Sequence, residues 1–319
     1  MLLITAVSWK SKDKETAVAT VERLLYSRKD QKKLSRIALE AFVWEARLAA
    51  VSRLIPEQNQ AILAQVAQID EDWRVRKAAI NKLIPDQHQA LLARLAERSP
   101  SPPPADEAQT EEQRLNLARI TGEEREKWAC VAAIEKLIPQ RHQPLLAKIA
   151  KKDAPTDVSR AALSRLIDQS LIAEVAMEAT EPTIRRDAIK KLVPAENQQI
   201  LSEIAETDQN AGVRLSALRR LLPEENQYLL SRLAKDDVDA DIRLYSYYKI
   251  DNLTVRRKLV IHYGKNLPDN AGLLKNIYEN EEDDELLASI TSHQGEVYRE
   301  SHYSETAYES STIQHVFRV

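Results

Sequence analysis

The chain has 319 residues, 46 Lys and Arg against 49 Asp and Glu, and a formal net charge of -3. It has 5 Gly and 1 Cys, Cys130. That balance gives the whole molecule no strong pull toward nucleic acid or acidic membranes. One cysteine excludes an intramolecular disulfide and a thiolate zinc site. So few glycines speak against a nucleotide fold with a glycine-rich phosphate loop.

The opening stretch, M-L-L-I-T-A-V-S-W-K, is too short and too poorly flanked for a signal peptide. No apolar run approaches the roughly 20 residues that cross a bilayer. A soluble, cytoplasmic protein is expected. Residues 1–27 read as an N-terminal cap. Within it Val18, Val21, Leu24 and Leu25 share a helical stripe.

Two-helix units follow. In the first, helix A is expected over Asp30–Phe42, with Leu34, Ile37, Ala38 and Ala41 inward. Helix B is expected over Trp44–Ile55, with Ala46, Ala49, Ala50, Val51 and Leu54 inward. In the second, helix A spans Gln58–Gln68, with Ile62, Leu63, Val66 and Ala67 inward. Helix B spans Trp73–Ile84, with Val75, Ala78, Ala79 and Leu83 as its packing stripe. Asp72 is a candidate N-cap. Pro56 and Pro85 are read as helix stops. Trp44–Pro56 and Trp73–Pro85 are near copies 29 residues apart, and such a period marks a solenoid.

A third helix A, Gln87–Glu97, runs into a proline-rich insertion at 99–110, which favours an extended or disordered segment. The pattern resumes at Glu111–Ile120 and Trp128–Ile138, and continues to Ile250 through Gln143–Ala150, Val158–Ile167, Gln169–Glu178, Ile184–Val193, Asn197–Glu206, Val213–Leu222, Asn226–Ala234 and Ile242–Ile250. The expected organisation is therefore repeats over 28–98 and 111–250, capping helices over 251–278, and an acidic, largely disordered tail over 279–319. The tail carries 10 acidic residues against Arg299 and Arg318, and shows no helical period in its last part.

The phrase L-A-x-x-D-x-x-x-x-[VI]-R-x-x-A-[IL]-x-x-L recurs in register from Val66 and Ile204, and imperfectly from Leu233. It resembles the short HEAT-like repeat of about 30 residues, also found in phycobilisome lyase-type proteins. The resemblance covers roughly 28–250, the insertion excepted. It implies an all-α fold, a right-handed α-solenoid of two-helix repeats. It implies little about chemistry, because scaffolds, chromophore lyase subunits and a few enzymes share the repeat.

Several columns are candidate sites. Arg47, Arg76, Arg185, Arg214 and Arg243 share one position, interrupted by Cys130 and Ser159. One reading is a structural ladder donating to turn carbonyls and to acids such as Asp70, Asp208 and Asp237. The other is a row of guanidinium groups facing a ligand. Trp44, Trp73 and Trp128 open helix B, as core packing or as exposed anchors. Gln60, Gln89, Gln143 and Tyr228 lie on a repeating polar edge that either binds peptide backbone or is the solvated start of helix A. His88 and His142 share a column without a second ligand at metal spacing, and read as surface histidines. Cys130 reads as a semi-buried small side chain. Basic runs at Lys10–Lys14 and Arg28–Lys33 form a possible local patch.

No catalytic residue, cofactor or metal ligand stands out, and the chain is not expected to be an enzyme. The function expected first is a non-catalytic, monomeric, protein-binding or peptide-binding scaffold. A bilin lyase or chromophore-handling subunit, and a HEAT-like DNA-binding or repair protein, are the alternatives.

Overall fold

Apolar residues at spacings of three and four build helices that cannot bury their stripes alone. They must pair. The computed structural model describes residues 8–24, 27–98, 127–152 and 154–281, together with 283, 286 and 288. Among these residues the regular elements are all helical, without a strand, and follow as the paired helices of a HEAT-like solenoid. The expectations for the insertion (99–110), for Glu111–Ile120 and for 289–319 lie outside the described residues.

The chain forms two compact units, Met1–Lys191 and Leu192–Val319. The first holds α1 (Lys14–Glu22), α2 (Arg28–Glu40), α3 (Trp44–Arg53), α4 (Pro56–Ile69), α5 (Trp73–Lys82), α6 (Pro85–Ala96), α7 (127–136), α8 (Pro139–Lys151), α9 (Thr156–Arg165), α10 (Gln169–Glu178) and α11 (Pro182–Lys191). Helices α2 and α3, α4 and α5, α8 and α9, and α10 and α11 pair within a repeat. Like helices then stack on like: α2 on α4, α3 on α5, α8 on α10, α9 on α11. Helix α1 packs on α3 and closes that row.

The second unit holds α12 (Gln198–Thr207), α13 (Ala211–Leu218), α14 (Gln227–Asp236), α15 (Ala240–Tyr248), α16 (Leu253–Lys265) and α17 (Leu267–Asn280), paired in order. Short 3-10 turns at Pro194–Glu196 and Pro223–Glu225 precede α12 and α14.

The core follows the stripes. Leu34, Ile37, Ala38, Ala46, Ala50, Val51, Leu63, Val66, Val75, Ala79 and Leu83 are all buried. Burying each Leu, Ile or Val side chain contributes about 1.5–3 kcal/mol. Ala49, Ile62 and Ala78 are half-buried at the stripe's margin, and Ile80 takes the buried place beside Ala79.

The prolines work differently from the simple stop expected of them. Helix α3 ends at Arg53 and α5 at Lys82, before Pro56 and Pro85, and each proline is the first residue of the next helix. There its missing amide costs nothing. Its ring restricts the preceding residue instead. Ile55 (φ -80°, ψ 117°) and Ile84 (φ -79°, ψ 115°) are accordingly extended.

Candidate functional site

The arginine column is largely an internal ladder. Arg47 donates through Nε and Nη2 to Asp70 of the next repeat at 2.7 and 3.0 Å, and through Nη1 to the carbonyls of Ala41 and Phe42. Arg214 repeats the geometry with Asp237 (3.1 and 2.8 Å) and the carbonyls of Asp208 and Gln209. Arg76, Arg185 and Arg243 each bond the two carbonyls of their own turn. A planar fork with donors on three sides suits this task. The hydrogen bond to Asp70, ahead of the opposing effect of burial, pushes the Arg47 guanidinium further above its ordinary range.

The glutamine column is a second ladder. Gln60 Nε2 donates to the carbonyls of Pro56 (2.8 Å) and Lys82 (3.1 Å), while its Oε1 accepts from the Ile84 amide at 2.8 Å. Gln89 does the same with Pro85, Lys136 and Ile138. Gln143 does so with Pro139, Arg165, and the amides of Ile167 and Asp168. Each clamp joins the start of one helix A to the end of helix B in the same repeat. The amides that the sequence offered to a ligand are thus committed inside the fold.

A third column went unnoticed in the sequence. Lys82 donates to the carbonyls of Ser52 and Leu54 at 2.8 and 2.9 Å, so it caps the end of the previous helix B. Lys136, Arg165, Lys191 and Arg220 act alike one or more repeats on. A cation at a helix C-terminus also meets the negative end of its dipole. Burial pushes the Lys82 and Lys191 ammonium groups below their ordinary value. The signal was present as the basic residue before each L-[ILV]-P or L-I-D.

The histidines sit in the position of a structural asparagine. Asn59 and Asn226 have φ near -125° at the kink of helix A, and each donates to the carbonyl four residues before it. His88 (φ -128°) and His142 (φ -130°) share that backbone, so they are half-buried kink residues rather than surface histidines. Nε2 of each is buried without a hydrogen-bond partner among the described residues. Cys130 is 2% exposed, deeper than the semi-buried place expected of it. Among the described residues no three His, Cys, Asp or Glu side chains are placed to hold a metal ion.

With these columns internal, the large exposed apolar side chains of the first unit include two at turns from helix A to helix B. Phe42 and Ile69, at two successive turns, are 63% and 64% exposed. A cleft of about 220 Å3 at these turns is lined by Ala38, Leu39, Ala41, Val66, Ile69, Glu71 and the Arg47–Asp70 pair. Trp44 and Trp73 are half-buried. The Arg74 guanidinium lies 3.5 Å from the Trp44 ring centroid and 5.8 Å from that of Trp73. Its Nε and Nη2 also hold Asp72. Burial would raise the Asp72 carboxyl, but the hydrogen bonds from Arg74 outweigh it and leave the group below its ordinary value. Asp72 caps α5 as expected, through the Arg74 amide.

Trp128 is 39% exposed, with Lys77 Nζ 5.0 Å and Lys127 Nζ 5.3 Å from its ring. Lys12 stands 5.0 Å from the Phe42 ring. The two basic runs do not merge, because Lys12 reaches the C-terminal end of α2 while Arg28–Lys33 form its N-terminal half. In the second unit Tyr228 is 81% exposed, with Arg232 5.9 Å from its ring.

The near-neutral total charge hides a division. Residues 1–191 hold 32 Lys and Arg against 27 Asp and Glu, whereas residues 192–319 hold 14 against 22. The aromatic edge belongs to the positive unit. Among the described residues no helix is long and apolar enough to cross a membrane. No protein-family model, no curated protein and no solved structure matches this chain.

Proposed function

We propose that this chain is a HEAT-like repeat protein that works in the cytoplasm as a non-catalytic, monomeric, protein-binding scaffold, and that its binding surface is the turn edge of the first unit. The observation that carries this reading is the set of aromatic and apolar side chains at successive A-to-B turns, Phe42, Trp44, Ile69, Trp73 and Trp128, with Lys12 over Phe42, Arg74 over Trp44 and Trp73, and Lys77 over Trp128. Aromatic and arginine side chains are the residues enriched at interface centres. The arginine, glutamine and lysine ladders support the reading indirectly. They stiffen the stack, so the edge is presented without ordering cost on binding.

Photo-crosslinking tests it. A photoreactive phenylalanine analogue at Phe42 or Lys77 is expected to trap a defined protein in cells, and the same analogue at Gln65, an exposed position on the outer face of α4, is not. Equal or absent adducts at all three positions would overturn the assignment of the edge.

A further inference from the structure

We infer that the solvent face of α2 is a binding surface for the phosphate backbone of duplex DNA, separate from the turn edge and independent of base sequence.

The face is built from charge at helical spacing. Arg28, Lys29, Lys32, Lys33 and Arg36 are all exposed, whereas Gln31, Leu34, Ile37 and Ala38 are buried. At about 100° per residue the five cations cover a band of about 140°, opposite the buried stripe, along about 12 Å of helix axis. Arg36 pairs with Glu40 at 3.6 Å. The other four have no carboxylate within ion-pair distance among the described residues. Of the nearby acids, Asp30 accepts from Ser27 in the first turn, where the helix dipole favours a carboxylate, and α4 adds Glu57. The positive charge therefore belongs to this face.

The repeat shows which part of it is capping. The positions matching Lys33 in α4 and α6 hold Ile62, half-buried, and Leu91, buried. Among the described helices α2 has no neighbour on that side in its own row, because α1 packs on α3. A terminal repeat needs a polar outer face, and that accounts for Lys33. It does not account for Arg28, Lys29, Lys32 and Arg36. Their counterparts in α4 are Glu57, Gln58, Ala61 and Gln65, all exposed and none of them basic. An exposed helix A of this fold needs no cation at those four places, yet α2 has one at each.

Chemistry and shape select the occupant. No apolar side chain is exposed between Arg28 and Arg36. A protein interface centre would offer aromatic anchors and few lysines. A helix lying in a membrane would offer an apolar face. This face holds its partner by charge alone. As the end helix of its row, α2 is a ridge, with Arg28 and Lys33 at the two margins of the band. A flat lipid surface meets only the crest of such a ridge. The major groove of B-DNA is about 12 Å wide and admits a helix, so its two bordering phosphate strands meet both margins. Gln31, the one amide side chain of α2, is buried and bonded to the Arg53 carbonyl, the Ile55 amide and Asn59, so it reads no base. Phosphate contacts fix position without carrying sequence information.

The test is fluorescence anisotropy with the full chain and a fluorescein-labelled duplex of about 20 base pairs. Saturable binding is expected at about 50 mM salt. Four or five neutralised phosphates give a slope of about -4 in log affinity against log salt, so affinity should fall roughly 250-fold by about 200 mM. Lys29→Gln combined with Lys32→Gln should weaken binding about tenfold or more and reduce the slope by about 2. Arg94→Gln combined with Lys152→Gln removes the same charge from exposed positions elsewhere in the unit, and should change affinity by less than about threefold. All four side chains are at the surface, so circular dichroism should be unchanged in both proteins.

No saturable binding, an equal loss in the two double variants, or a salt slope untouched by Lys29→Gln with Lys32→Gln would each overturn the inference. So would tighter binding of a single-stranded 20-mer, polyglutamate or phosphatidylserine vesicles than of the duplex, because none of these has a groove with phosphates on both walls.

Discussion

Replacing Gln60 tests whether the glutamine column is structural. Gln60→Ala removes bonds to the Pro56 carbonyl, the Lys82 carbonyl and the Ile84 amide. A net hydrogen bond is worth about 1 kcal/mol, and the deserted backbone groups are partly reachable by water, so the expected loss is about 2–3 kcal/mol. In a unit of this size that is roughly 5–10 °C in Tm. Gln60→Glu keeps the acceptor toward Ile84 but turns a negative oxygen toward two carbonyls. The charged form is disfavoured in the folded state, so the introduced carboxyl has a folded pKa above its unfolded value of about 4.3. Its stability is then greatest below that unfolded value and falls as pH rises through the folded one. Gln65→Ala, at an exposed position of the same helix, is the control and should stay within about 0.5 kcal/mol. Urea denaturation at pH 4 and pH 7 with a constant m-value reads all three. A Gln60→Ala cost no larger than that of Gln65→Ala would refute the clamp. A Gln60→Glu protein equally stable at both pH values would refute its orientation.

Other outcomes follow from the same geometry. Arg214→Ala leaves Asp237, whose side chain is 5% exposed, without its partner, and should cost about 3–5 kcal/mol in equilibrium unfolding of the second unit. Lys82→Met should cost about 1–2 kcal/mol by denaturant midpoint, because it uncaps the carbonyls of Ser52 and Leu54. Lys82→Arg should stay within about 0.5 kcal/mol, since Arg165 and Arg220 do the same work in other repeats. Burial pushes the phenols of Tyr247 and Tyr263 well above the ordinary tyrosine range. With folded values above the unfolded one of about 10, these groups contribute stability below that pH and lose it as pH rises beyond it. Absorbance at alkaline pH should therefore show two tyrosines ionising together with unfolding. Tyr263→Phe should weaken the fold at neutral pH, through the lost bond to the Ala234 carbonyl, and flatten its alkaline decline.

What the sequence determined by itself was the repeat. A helical period, a 29-residue interval and a recurring Asp and Arg are local or register properties, and they survive being read in one dimension. They were enough to offer Asp70 among the turn acids that the arginine column could meet, and the structure gives it to Arg47. The tertiary structure decided which side chains remain for a partner. Gln60 and Gln89 look solvated in the sequence, yet their amides bridge 22 and 24 or more residues of chain once the helices pair. Phe42 and Ile69 look like ordinary apolar residues, yet turn packing leaves both exposed. Lys77 meets Trp128 only because the fold brings together two residues far apart in sequence. The physical reason is that period reports which face of a helix is apolar, whereas exposure depends on what the neighbouring turn leaves uncovered.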